Sequence, residues 1–172
     1  VIQIAAVKFD WDGSIIEIPN TETLRNEFGY IENQNAIVAR AKAGCIFDVI
    51  NKIVLTSKID IYKASERHMA MEMLSEIINK SSQKNLILFD RGYPSAELFA
   101  FLIENSFDFL MRSSQTYSKE IMKATKPDQL IEFKYKKKIY KARVIRFMLS
   151  SGEEEILITS LLDEHLSIEE FK

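Results

Sequence analysis

The stretch that most limits how this chain can fold is Asn85-Leu86-Ile87-Leu88-Phe89-Asp90-Arg91-Gly92-Tyr93-Pro94-Ser95. An apolar run goes unbroken through Phe89 and stops at a carboxylate. A short continuous apolar run between polar signals predicts a strand buried on both faces, and so one inside a sheet. Arg91-Gly92 then turns the chain, Pro94 suits the first position of a helix, and Tyr93 or Ser95 stands near the cap. A strand that ends in Asp and turns at once into a helix puts that carboxylate at the strand's carboxyl edge, where open α/β sheets build their sites. A lone Asp is more often a turn former or a helix-cap acid, so chemistry at Asp90 requires a partner.

The flanking pattern sets the fold class. Residues 2–10 are apolar almost throughout and predict a strand, Asp12-Gly13 bends it, and residues 14–18 resume an extended pattern. Asn20 or Thr21 caps a short helix through Phe28 that Gly29 stops. Residues 30–36 read as a polar loop. Residues 37–50 and 53–61 predict two strands joined by a tight hairpin at Asn51-Lys52. Ser65 opens a helix with Met69, Ala70, Met73, Leu74, Ile77 and Ile78 on one face, the methionines reading as core filler. A strand at 85–90, a helix at 94–105 and a strand at 107–112 follow. Three antiparallel strands, then strands made parallel by helical crossovers, predict a mixed α/β sheet.

After a short helix at 118–124 the pattern from Leu130 to Leu162 is strand throughout, with a turn at 150–153. The expected organisation is an α/β core over residues 1–126, a β-rich insertion over 127–163, and the start of a helix over 164–172. Ser167-Ile168-Glu169-Glu170 is the capping box of that helix. One turn of helix has no stability by itself, and the chain does not begin with Met, so a piece of a longer protein is expected.

Composition excludes several classes. No apolar run approaches the roughly 20 residues of a membrane span. One Cys leaves no disulfide and points to a reducing compartment, and with two His it excludes an ordinary zinc site. A hard divalent ion held by carboxylates stays open. The net charge of -2 does not call for nucleic acid, so any such interface depends on where the cations cluster. The densest positive run is Lys134, Lys136, Lys137, Lys138, Lys141, Arg143 and Arg146, with Tyr135 and Tyr140 interleaved. On a hairpin these cations suit phosphate contacts, and equally a solvated strand edge kept from aggregating by lysine.

The partner for Asp90 comes from the first predicted strand, which ends Phe9-Asp10-Trp11-Asp12-Gly13-Ser14. Two adjacent strands that both end in Asp bring carboxylates to one edge, where they repel unless Mg²⁺ or Mn²⁺ lies between them. Spacing alone supports a structural turn at Asp12-Gly13 equally well.

Asp12-Gly13-Ser14 with Ile16-Glu17-Ile18-Pro19-Asn20, Ser65-Glu66-Arg67, Leu88-Phe89-Asp90-Arg91-Gly92-Tyr93-Pro94-Ser95, Phe109-Leu110-Met111-Arg112 and Glu155-Ile156-Leu157-Ile158-Thr159-Ser160-Leu161 together resemble the DDE transposases of bacterial insertion sequences. The subgroup is the one with a β-strand insertion in a ribonuclease H-like catalytic domain. The resemblance implies that Asp12 and Asp90 are the first two catalytic acids and bind Mg²⁺ or Mn²⁺ for hydrolysis of the transposon end and strand transfer. It implies DNA partners, both transposon ends and target DNA, a homodimer in the full-length protein, and a cytoplasmic, nucleoid-associated location. The family's third acid, a Glu in a Tyr-Arg-Glu-Lys-like signature, is not in this chain, so the chain alone is expected to be inactive. Arg91 and Tyr93 flank the second acid, and Arg91 suits a DNA phosphate or a surface salt bridge. With DNA as substrate, Lys134, Lys136, Lys137, Lys138, Lys141 and Arg143 are expected to contact it. Ser65-Glu66-Arg67 reads as a helix start.

Two rival readings remain. Val7-Lys8-Phe9-Asp10-Trp11-Asp12-Gly13-Ser14 also resembles the first motif of haloacid dehalogenase-type phosphatases, with Asp10 as nucleophile and Asp12 as general acid. That family's later acidic motif fails at Asp90-Arg91-Gly92. The other rival is a non-catalytic, transposase-derived DNA-binding module.

Overall fold

The computed structural model describes residues 3–6, 15–78, 85–163 and 165–172, and the expected bend at Asp12-Gly13 lies outside them. Two compact units are present, one over residues 5–82 and one over residues 83–172 with residues 1–4.

Strand β1 (Gln3–Ala6) is divided, Gln3 and Ile4 falling in the second unit and Ala5 and Ala6 in the first, and the first unit also holds β2 (Ile15–Glu17), α1 (Glu22–Phe28), β3 (Tyr30–Glu32), β4 (Ile37–Asp48), β5 (Ile53–Ile61) and α2 (Glu66–Ile77). The long strand β4 organises them, pairing antiparallel with β5, β2, β3 and the end of β1. Ala41 and Lys42 pair with both β5 and β2, and Phe47 and Asp48 with both β5 and β1. A strand has only two edges, so β1 and β2 share the edge of β4 opposite β5. Side-chain alternation then turns Thr56 and Lys58 of β5 toward α2, where they bond Glu76 and Glu72. The helix buries Met69, Ala70, Met73, Leu74 and Ile77.

Two local expectations are corrected here. Residues 30–32 are not loop: Tyr30, Ile31 and Glu32 pair with Ala39, Val38 and Ile37 around a turn in which the Asn33 carboxamide oxygen accepts from the Asn35 and Ala36 N–H groups. The hairpin between β4 and β5 is not a two-residue turn. The Asp48 carboxylate accepts from the N–H groups of Ile50 and Asn51, both at 2.9 Å, and residues 49–52 form the connection, with Lys52 at φ 58°.

In the second unit the elements are β6 (Asn85–Phe89), α3 (Ala96–Glu104), β7 (Asp108–Arg112), α4 (Lys119–Lys123), β8 (Asp128–Tyr135), β9 (Lys138–Met148), β10 (Glu154–Thr159) and a 3-10 turn at Ile168–Phe171. Within this unit the strand order is the Gln3–Ile4 part of β1, then β6-β7-β10-β9-β8, so β6 lies inside the sheet as its apolar run demands. Strands β6 and β7 are parallel and joined by α3, whereas β10 is antiparallel to β7 and β9, and β9 to β8. This is the expected mixed α/β sheet of antiparallel and parallel strands. The meander β8-β9-β10 carries the residues anticipated as an insertion and bonds directly to β7.

Pro94 precedes α3 rather than starting it. The Ser95 hydroxyl is the cap and accepts from the Leu98 N–H at 3.1 Å, satisfying an N–H that the helix cannot. The α3 core residues Leu98, Phe99, Ala100 and Leu102 are buried, and the Phe99 ring stacks on Phe109 at 5.1 Å and meets Phe133 edge-on at 5.5 Å. At the chain's end the Glu170 carboxylate accepts from the Ser167 N–H at 2.7 Å, the expected capping box, over one turn of 3-10 helix. Among the described residues no helix is long and apolar enough to cross a membrane.

Candidate functional site

Asp90 is the first residue past β6. Its carbonyl accepts from the Tyr93 N–H at 3.1 Å, which closes the turn into α3. Its side chain stays half exposed. The parallel register pairs Phe89 with Met111, so the next residue of each strand, Asp90 and Arg112, come side by side. One Arg112 Nη1 lies 3.4 Å from Asp90 Oδ1.

Strand β10 adds a residue to this edge. Leu157 pairs with Arg112, and Glu155, two positions along, projects on the same face. Arg112 donates to Glu155 Oε2 through Nε at 3.1 Å and Nη2 at 2.7 Å, and Arg91 Nη2 approaches the same oxygen at 3.4 Å. The Glu155 side chain is only 6% exposed, and its Oε1 is buried without a hydrogen-bond partner among the described residues. Burial pushes the Glu155 carboxyl up, but the Arg112 hydrogen bonds and the charges of Arg112 and Arg91 outweigh it, and the net shift is downward. The same pairing, led by the Glu155 hydrogen bond, raises Arg112.

The Arg143 hydrogen bonds likewise hold the Asp128 carboxyl low. A carboxylate whose folded pKa lies below its unfolded value, about 4, adds stability that is complete above that value and lost as pH falls through the folded pKa. Glu155→Gln is therefore expected to be less stable than the parent at pH 7, with the gap closing below about pH 4. Urea denaturation midpoints across that range measure it, and a gap that widens in acid contradicts the assignment.

The structure places the other anticipated residues as follows. Tyr93 is 2% exposed and packs its ring 5.2 Å from that of Phe89, so it is a core residue and not presented to DNA. Lys134, Lys136, Lys137, Lys138 and Lys141 are exposed on β8, β9 and the turn between them. Lys138 and the Tyr140 hydroxyl both donate to Glu104 of α3, and the Tyr135 hydroxyl donates to Glu97. Arg143 is 3% exposed and committed inward, to both Asp128 carboxylate oxygens and to the carbonyls of Asp163 and Leu166. Its expected phosphate contact is corrected to a structural clamp, because a buried guanidinium must spend its donors on the protein. Arg146 is buried too, donating to the Ala124 and Ile121 carbonyls at the end of α4 and to Glu154. Asp12 lies outside the described residues, and among those described no group of three His, Cys, Asp or Glu side chains could hold a metal ion.

Arg112 and Glu155 stood inside recognisable sequence segments without a role. No local signal assigns one, since their meeting depends on the register of β7 against β10.

The comparisons with known proteins give a family and a fold. A family model described as "Transposase DDE domain" matches residues 6–171. Among solved structures the chain is similar to a piggyBac transposase, seen by cryo-EM in a synaptic complex with hairpin DNA, at 10% identity and a TM-score of 0.55. The match covers 96% of this chain and 34% of that one, so this chain spans about a third of its length, and the likeness is one of fold. No curated protein matches the chain.

Proposed function

The chain belongs to the transposase DDE domain family, and from that premise we propose that it forms the catalytic core of a DNA transposase that hydrolyses transposon ends and joins them to target DNA by phosphoryl transfer. The observation that carries the reading is Asp90, a half-exposed acid at the carboxyl end of an interior strand and followed at once by Arg91-Gly92. Asp12 is proposed as its partner. It lies in sequence between Ala6 and Ile15, which both pair with one edge of β4. The family match sets aside the phosphatase reading of Asp10 and Asp12.

Asp90 fits a hard divalent ion: it offers solvated carboxylate oxygens, and its contact with Arg112 is a long one at 3.4 Å. Asp12 and Asp90 would hold Mg²⁺ or Mn²⁺, and the bound ion would supply activation of a water or 3′-hydroxyl and stabilisation of the leaving oxygen. Arg91, half exposed beside the acid, presents planar donors suited to a DNA phosphate. No residue of this chain is proposed as the third acid. The catalytic core is proposed to run over residues 1–126, with a β-rich insertion over 127–163 and the start of a helix over 164–172, and the full-length protein to act as a homodimer.

The exposed lysines of the β8-β9 hairpin supply the proposed electrostatic contact with DNA. Binding measured against salt concentration tests it. Replacing Lys136 and Lys137 together with Ser is expected to weaken binding uniformly across sequences and to lower the log-log salt slope by about 1 to 2. An unchanged slope removes the hairpin from the interface. Metal-dependent nicking of end-bearing DNA by the full-length protein, lost on Asp12→Asn as on Asp90→Asn, separates the transposase from a non-catalytic DNA-binding module, which would bind DNA without cutting it.

A further inference from the structure

We propose that Glu155 is a positioning residue of the phosphoryl-transfer site: it holds the Arg112 guanidinium off Asp90 and so keeps that carboxylate available to a divalent cation. The inference rests on the assignment of Asp90 as a metal ligand and adds a strand, β10, to the parts that build the site.

Two carboxylates compete for one guanidinium here. Glu155 Oε2 receives both Nε and Nη2 of Arg112, at 3.1 and 2.7 Å, whereas Asp90 receives Nη1 alone at 3.4 Å. Burial explains the imbalance. Glu155 is 6% exposed and has little water to solvate its charge, so it needs the cation; Asp90 is 52% exposed and is solvated without it. Arg91 adds a second guanidinium to the same Glu155 oxygen. The four side chains thus sum to zero charge, with the positive groups drawn toward β10 and the open oxygens left at the end of β6.

Removing the Glu155 charge upsets both features. The cluster gains a net positive charge, which repels a divalent cation, and Asp90 becomes the carboxylate nearest Arg112. A forked Arg–carboxylate pair would then engage both of the oxygens the ion requires. Glu155 is not itself a metal ligand in this account, because two guanidinium groups already neutralise it. A merely structural role, tying β7 to β10, predicts lower stability on substitution and no change in metal affinity once the protein is folded.

The test is Mn²⁺ affinity by electron paramagnetic resonance on the full-length protein, comparing the parent with Asp90→Asn, Glu155→Gln, Arg112→Gln and the Glu155→Gln/Arg112→Gln double variant. Each is checked for folding by circular dichroism. Asp90→Asn is expected to weaken Mn²⁺ binding at least tenfold, and Glu155→Gln about tenfold, the usual range for a partner one shell away from a ligand. The double variant is expected to return to within about threefold of the parent. Glu155→Gln binding Mn²⁺ like the parent, or the double variant no better than Glu155→Gln alone, overturns the inference. Asp90→Asn binding Mn²⁺ like the parent identifies a different failure, that of Asp90 as ligand, and the inference falls with it. Should Glu155→Gln not fold, Glu155→Asp keeps the charge and shortens the reach. A several-fold loss of affinity restored by Arg112→Gln supports the inference, and an unchanged affinity overturns it.

Discussion

Replacing Asp90 with asparagine is expected to lower metal-dependent cleavage of end-bearing DNA by about a thousandfold or more in the full-length protein, while leaving the fold unchanged. Asn keeps the size of the side chain and removes the charge a hard cation needs. A thousandfold is about 4 kcal/mol of transition-state stabilisation. The structural cost is small by comparison. The Asp90 side chain is half exposed, and its ion pair with Arg112 is long and solvated, a type worth about 0–1 kcal/mol. The turn into α3 survives because it uses the Asp90 carbonyl, which accepts from Tyr93 N–H, rather than the carboxylate. Single-turnover cleavage at saturating Mn²⁺, with a melting curve on the same sample, makes the comparison. A variant retaining more than a tenth of the parent rate removes Asp90 from the chemistry.

Arg143→Leu is expected to act in the opposite way, costing stability and sparing DNA affinity. Arg143 is 3% exposed and donates to both oxygens of Asp128, to the Asp163 carbonyl and to the Leu166 carbonyl, with its guanidinium 5.3 Å from the Phe171 ring. Leucine fills part of the volume and replaces none of these donors. Asp128 is 36% exposed and can rehydrate, which softens the loss. Asp163 is exposed and Leu166 half-buried, so their carbonyls also regain water in part, and what is lost is a set of hydrogen bonds from a charged donor, about 1.5–3 kcal/mol each before that rehydration. A total of about 2–4 kcal/mol corresponds to a fall in Tm of roughly 5–15 °C for a chain of this size. DNA affinity per folded molecule is expected to stay within about twofold of the parent, in contrast to substitution of the exposed Lys136 and Lys137. A stable Arg143→Leu protein with weakened DNA binding would return Arg143 to the interface.

These two residues show where sequence reasoning works and where it stops. Helix starts were legible because they are local chemistry. Thr21, Ser65, Ser95 and Ser118 each accept from the N–H three residues on, a bond that depends on nothing distant. The interior position of β6 was legible in the apolar run that ends at Phe89. The polar stretch at 30–36 concealed β3 because a three-residue strand is held by its partner β4, not by its own propensity. The turn after β4 was misread because the side chain of Asp48, outside the expected two-residue hairpin, organises it.

The sequence by itself determined the element types other than β3, the mixed character of the sheet and the placement of an acid at the end of its apolar strand, since all three follow from side-chain periodicity and from bonds spanning a few residues. Only the tertiary structure decided the fate of each charge. Lys136 and Arg143 belong to one basic run, yet one reaches solvent and the other is sealed against Asp128. The adjacent pair Asp90-Arg91, Arg112 and Glu155 lie far apart in the chain and meet because β6, β7 and β10 are neighbours in register. Strand neighbours are set by how the whole sheet buries its apolar faces, so an ion pair across them cannot be read from either of its ends.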